Sequence, residues 1–366
     1  MELIKKALQQ IDLSRIYAYV ENLTLTDRNS DDTKSFSLND SDFFMIMPYC
    51  TILDSNGKPL ENGVNRHNEM KVVFRNEKGH NYFDTPITVQ ALNRLHKNER
   101  YAGAYLTDSD RYRVTLNGTN FPNKDINKFP VRSEFHFIGY SLSKTQPKYS
   151  IESVMNRVRP ERAYTIDKSF SISSNVSEEV EKITIGIDEM WVNEMNVTFT
   201  DSEGRDVMLD ERITDAFTIK LKGSDDWVMF DGMSLRAFNN LWQSKQWRGL
   251  VLKERTDYWF TIKGQNFPSG IVTLKFDAKT ANFTIGDTIT GGTSADTGII
   301  VGIVEDGTTG TLILTDATGT FQDNETITGT ISSSSATADG ITSDGACLYP
   351  INAQLTLQGY KLDEVR

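Results

Sequence analysis

One phrase occurs twice in this chain. YRVTLNGTNFP fills positions 112–122 and YWFTIKGQNFP fills 258–268, with Tyr, Thr, Gly, Asn, Phe and Pro in register at a spacing of 146. The spacing holds back to VQALNRLH and LRAFNNLW, where Ala91, Asn93 and Leu95 meet Ala237, Asn239 and Leu241. Further upstream it becomes 147: Asp54, Ser55 and Gly57 of TILDSNGK meet Asp201, Ser202 and Gly204 of TFTDSEGR, and Arg15 and Tyr17 meet Arg162 and Tyr164. IKKALQQI from Ile4 faces IESVMNRV from Ile151. Downstream, FHFIGYSL from Phe135 pairs with LTLQGYKL from Leu355 at a spacing of 220, so the second copy carries an insertion of about 74 residues. Register kept across six segments argues for a duplicated unit.

Each copy reads alike. An amphipathic helix is expected first, with Ile4, Leu8 and Ile11 or Ile151, Met155 and Val158 at i, i+4 and i+7, and Pro160 ending the second. Alternating strands follow, EMKVVF at 69–74 and KSFSIS at 168–173 among them, with FFMIMPYCTIL at 43–53 as a longer apolar strand. DSNG and DSEG are turn chemistry. A late helix is expected over TVQALNRLHK and SLRAFNNLWQ, opened by Thr85 or Asp231, and two strands close the unit. Many short strands with one or two helices imply a mainly β fold: two tandem homologous jelly-roll-type sandwiches. Their spans are 1–146 for the first and 147–268 plus 343–366 for the second. SKTQPKYS at 143–150 joins them and is short enough to hold them side by side.

The insertion, 269–342, is rich in Gly, Thr, Ser and Asp. FTIGDTITG from Phe283 returns as FQDNETITG from Phe321, a spacing of 38, around the strands TGIIVGIV and GTLILTD. A small β-domain projecting from the second sandwich is expected.

The formal charge of −11 argues against a protein that tracks nucleic-acid phosphates. No run is long enough for a membrane helix, GIIVGIV at 298–304 being the longest, and the first residues lack the apolar core of a secretion signal. Cys50 and Cys347 are expected as buried thiols rather than a disulfide. His67, His80, His96 and His136 have no metal-ligand spacing. His136 alternates with Phe135 and Phe137, which places it on a solvent face, and His96 is expected to cap a helix. NSDD at 29–32 and GSDD at 223–226 are expected as solvated loop acids. No nucleophile, phosphate-loop or dinucleotide motif is present, so no enzyme activity, cofactor or metal is expected.

The strand ending in RYRVTLNGTNF with the closing FHFIGYSL resembles a β-sandwich unit of bacteriophage structural proteins. The GDTITGGT segment with its ETITG echo is similar to small β-modules of phage virion proteins. Tandem units of this size resemble the double jelly-roll capsid subunit. That resemblance implies two upright barrels per chain, three chains per pseudo-hexagonal capsomer, insertions that form outward towers, and assembly in the host bacterial cytoplasm into a virion. The partners implied are the chain itself, as a trimer or larger ring, and other virion proteins, with a possible host-glycan contact through 269–342. A neck, tail, baseplate or decoration protein and a carbohydrate-binding adhesin stay open.

Candidate interface residues are Trp242, Trp247 and Trp259, which stand where the first copy has His96, Tyr101 and Arg113. Large aromatics gained at matched positions suit contacts between copies or subunits. With Trp227 they could instead form a sugar platform.

Overall fold

The computed structural model describes residues 7–38, 41–60, 69–83, 86–98, 100–207, 211–264, 271–340, 342 and 345–363. The chain is mainly β, arranged as four antiparallel four-stranded sheets and one closed six-stranded barrel.

In the first half, the long sheet runs in the order Ile11–Leu25, Val131–Leu142, Phe43–Leu53, Ala104–Leu106. The short sheet runs Asp31–Ser37, Arg111–Asn117, Lys71–Asn76, Ile87–Thr88. Numbered along the chain, these orders are 1-8-3-6 and 2-7-4-5. The second half gives the same two orders. Its long sheet is Val158–Ile172, Ile351–Leu362, Met190–Thr200, Leu250–Leu252; its short sheet is Glu178–Thr184, Asp257–Gly264, Phe217–Gly223, Val228–Ser234.

The recurring residues hold matching backbone joints. Tyr112 takes the Thr107 N–H on its hydroxyl at 2.6 Å, and Tyr258 takes the Lys253 N–H at 2.8 Å. The glycine of the repeated phrase closes onto the loop between the first two strands: Gly118 N–H donates to the Ser30 carbonyl at 3.1 Å, and Gly264 N–H to Ser177 at 2.7 Å. A Cβ on Gly118 would lie 2.9 Å from the Asp27 carbonyl oxygen, and one on Gly264 would lie 2.7 Å from that of Asn175, so only glycine fits. The Gly-Tyr glycines face β-bulges between Met45 and Met47 and between Val192 and Glu194. There a Cβ on Gly139 would come within 2.1 Å of the Phe44 carbonyl oxygen, and one on Gly359 within 1.9 Å of that of Trp191. Asp54 and Asp201 each accept two main-chain N–H groups of the following turn.

Several expectations need correction. The second helix is only Ile151–Met155; Val158 and Pro160 lie in the long edge strand, which tolerates a proline because its outer side has no ladder to donate to. Met155 is exposed rather than part of an apolar stripe. Ile11 likewise starts a strand after a helical turn at 7–10, and Ile4 lies outside the described residues. The late helices, Val89–Arg94 and Leu235–Leu241, are capped by Thr88 and Ser234, whose hydroxyls accept the Ala91 and Ala237 N–H groups. Asp231 sits in a strand, and Thr85 lies outside the described residues. Cys50 and Cys347 are thiols rather than a disulfide, Cys50 buried and Cys347 half-buried.

The barrel, from Ile271 to Ala338, closes around Leu274, Phe276, Phe283, Ile289, Ile300, Leu312, Leu314, Phe321 and Ile327. Its 38-residue repeat is a reciprocal clasp. Asp287 accepts the N–H groups of Ile331 and Ser332 at 2.8 and 3.0 Å, while Glu325 accepts those of Thr293 and Ser294 at 3.0 and 2.9 Å. Each acid therefore holds the turn belonging to the other repeat.

The linker is pinned rather than free. Buried Glu189 takes hydrogen bonds from Lys148 at 2.8 Å and Tyr149 at 2.6 Å and pairs with Arg157, while Tyr149 carbonyl accepts the Leu13 N–H. Among the described residues no helix is long and apolar enough to cross a membrane.

Candidate assembly interface

The two halves meet on one face of the first long sheet. Phe43–Leu53 is buried at every position because both of its faces are covered. Phe43, Met45, Cys50 and Ile52 point into the first half's own core, whereas Phe44, Ile46, Met47 and Tyr49 join Ile138 and Tyr140 in a core shared with the second half. Six such side chains, at about 1.5–3 kcal/mol each, contribute roughly 9–18 kcal/mol of gross hydrophobic stabilisation to this contact.

Polar groups fix the register. Tyr49 donates to Asp215 at 3.0 Å, and Arg236 pairs with Asp215 at 3.2 Å while its guanidinium lies 5.4 Å over the Tyr49 ring. The Ser244 hydroxyl donates to the Ile46 carbonyl at the bulge, 3.1 Å, and Gln246 donates to the Tyr101 carbonyl at 3.0 Å. The Tyr140 hydroxyl accepts the Arg248 N–H at 3.0 Å and donates to the Gly249 carbonyl at 2.8 Å. The contact is thus between two different surfaces. One is the outer face of a long sheet; the other is the flank made by the helix Leu235–Leu241 and the segment after it.

His136 lies on this sheet face beside Tyr49, its strand-pair partner, and is 1 % exposed. The solvent-face assignment fails because the alternation puts His136 opposite the first half's own core but under the second half. Burial holds its imidazole down at about 4. His96 is buried in the turn Leu95–Lys97, with its carbonyl accepting the Lys245 N–H at 3.3 Å; Leu95, not His96, occupies the helix C-cap. Burial and then Lys97 lower its imidazole to about 4. His67 lies outside the described residues, and among those described no cluster of His, Cys, Asp and Glu is arranged to hold a metal.

The three tryptophans have three different environments. Trp247 lies at the junction: its indole N–H donates to the Asn193 carbonyl at 2.8 Å and its ring is 6.2 Å from that of Tyr140. Trp242 packs half-buried on the shared core. Trp259 is 37 % exposed on the outer face of the second short sheet, between Lys182 and Lys222 on the neighbouring strands. Trp227 also packs half-buried against the shared core. Arg15 covers its ring at 5.2 Å and Tyr17 meets it edge-on at 5.6 Å, in an open groove of about 1120 Å³ between the halves. The acids of GSDD make ion pairs, Asp225 with Lys253 and Asp226 with Lys222, and Asp32 accepts the Thr24 N–H.

Sequence reasoning passed over the most informative signal. The strand matched to Phe43–Leu53 is Met190–Thr200, and its burial alternates. Ile46, Met47, Tyr49 and Ile138 are replaced by Asn193, Glu194, Asn196 and Gln358. An unbroken apolar run against an alternating one distinguishes a sheet covered on both faces from one covered on a single face. No family model matches the chain, and no curated protein matches it.

Proposed function

We propose that this chain is a structural protein of a bacteriophage virion, a double jelly-roll subunit that arose by tandem duplication and assembles with copies of itself into a shell. The observation that carries this reading is the strand order. An eight-stranded jelly roll interleaves as 1-8-3-6 and 2-7-4-5, and both halves have these orders, together with the shared bulge, glycine and tyrosine joints. The barrel supports the tower role, since it is inserted between the last two strands of the second unit and has its own core. Capsid shell is the placement that tandem upright units favour; neck, tail, baseplate and decoration roles use the same self-association. The protein acts in the virion after assembly in the host bacterial cytoplasm, and its chemistry is contact rather than catalysis.

Size-exclusion chromatography with light scattering tests the reading. Trimers or larger rings support it, and a monomer at all concentrations overturns it. One observation favours a second reading, a carbohydrate-binding adhesin: Trp259 exposes a ring on a sheet face. Glycan binding by a monomer, lost on Trp259→Ala, would establish that reading instead.

A further inference from the structure

We infer that the outer face of the second long sheet is the docking surface for a second copy of this chain, and that it receives the helix flank of that copy's first unit. The inference rests on the self-assembly reading and says which surfaces meet.

The contact between the halves uses a sheet face from the first unit and a helix flank from the second. Two unlike surfaces joined this way leave one of each largely unused: the sheet face of the second unit and the helix flank of the first, of which only the turn carbonyls of His96 and Tyr101 already accept from the second half. A contact of this head-to-tail kind propagates from chain to chain. The unused sheet face is broad, and Thr198, Asn352, Gln354 and Gln358 are exposed on it. The unused flank exposes Gln90, Arg94, Lys97, Asn98, Arg100 and Ala102.

The two interfaces have diverged together. Within the chain, the apolar sheet face meets a flank that carries Arg236, Asn240, Gln243, Lys245, Gln246 and Arg248. At the positions matched to Asn240, Gln243 and Gln246 the free flank has Arg94, Lys97 and Arg100, and the free sheet face has Glu194 where the covered one has Met47. The free sheet face is thus polar and carries an acid that suits the basic free flank, whereas the covered sheet face is apolar. The difference has a physical reason. The intrachain contact never faces water, whereas the contact between chains must stay soluble until it forms.

Transferring the observed bonds by register names the new ones. Tyr140 with Gly249 and the Arg248 N–H becomes Tyr360 with the neighbour's Gly103 and Ala102 N–H. Ser244 on the Ile46 carbonyl becomes the neighbour's Asn98 at Asn193. Tyr360 is half-buried, its ring stacked 6.0 Å from Trp191, which fixes it on the sheet face.

The test uses two double variants of the full chain, both at surface positions. One removes face groups, Glu194→Ala with Tyr360→Ala. The other reverses the flank, Arg94→Glu with Arg100→Glu. Circular dichroism and thermal melts check that each is folded, and sedimentation velocity reads the association. Each variant alone should self-associate at least tenfold more weakly than wild type. An equimolar mixture should give a pair that stops at two chains, because one intact face meets one intact flank and the remaining ends are blocked. If wild type assembles and both folded variants assemble equally well, these surfaces do not meet, and the inference falls while the assembly reading stands. Two impaired variants whose mixture forms no pair also overturn it. A wild type that stays monomeric removes the assembly reading itself.

Discussion

Asn239 bridges Val197 through both halves of its side-chain amide: Oδ1 accepts the Val197 N–H and Nδ2 donates to the Val197 carbonyl, each at 2.8 Å. Asn93 does the same to Cys50 at 2.8 and 2.9 Å. In each unit this asparagine stands on the late helix and ties it to the edge of the central strand. Aspartate offers no donor for this bridge, and glutamine is one methylene longer. Asn93→Ala and Asn239→Ala should each cost about 2–4 kcal/mol, because two main-chain groups lose their partners. Urea unfolding at constant m-value measures this.

Gly139→Ala and Gly359→Ala should be worse than either asparagine change. The added methyl meets a backbone carbonyl of the adjacent strand, which cannot swing away as a side chain can. A loss of more than about 3 kcal/mol, or insoluble expression, is expected. Wild-type stability in both variants would show that the bulges relax freely.

The barrel's clasp makes a pH prediction. Burial raises the Asp287 carboxyl, but hydrogen bonds from Ser332, Ile331 and Thr330 outweigh it and hold the group at about 2; Glu325 is also lowered, by Ser294, Gln322 and Thr293 against burial. A depressed carboxylate contributes stability that is complete above its unfolded value, near 4, and is lost as the pH falls through the folded one. Barrel stability should therefore be flat from about pH 7 to 5 and drop between about pH 4 and 2. Asp287→Asn should flatten the acid limb and lower the neutral plateau. Barrel-specific amide exchange measured against pH distinguishes these outcomes.

His136 predicts a separate response at the junction. Its imidazole is held at about 4 by burial, below the unfolded value of about 6.5, so the unfolded chain binds the extra proton first. Stability of the contact between the halves should fall as the pH drops from about 6.5 towards 4, by on the order of 3 kcal/mol. His136→Phe should remove roughly half of the acid slope in urea titrations at pH 7 and 5, the rest coming from His96, which burial lowers in the same way. An unchanged slope would assign it to other groups.

Replacing 270–342 by a short Gly-Ser turn should leave a soluble protein with the β signature of both halves, since loop closure depends weakly on length. The deletion also removes Ile271, Val304 and Ile313, which pack on the shared core, so a lower melting temperature is expected. Aggregation with loss of circular dichroism would make the barrel part of the fold's foundation.

The internal repeat was legible because the positions that recur are those whose geometry admits few residues: a tyrosine hydroxyl on a backbone joint, glycines under carbonyls, an amide that bridges a strand. Element boundaries were less legible. Val158 continues a helical spacing by coincidence and Pro160 looks like a helix end, but both lie in an edge strand, where a proline costs no ladder bond. His136 was misplaced because alternation reports which face a residue takes, not what covers that face. Phe43–Met47 carried the missing information, since five consecutive apolar residues in one strand imply two buried faces. The reciprocity of Asp287 and Glu325 was beyond pattern reading, because each acid's partners in the other repeat lie 31 to 45 residues away.

The central claim, a two-unit subunit that assembles head to tail, is tested most directly by electron microscopy of the purified full-length protein at assembling concentration. The account predicts rings in which each chain supplies two lobes, six lobes for three chains, with one barrel projecting from every second lobe. Isolated two-lobed particles at every concentration, or assemblies joined through the barrels with the sheet face of the second unit left bare, would contradict it.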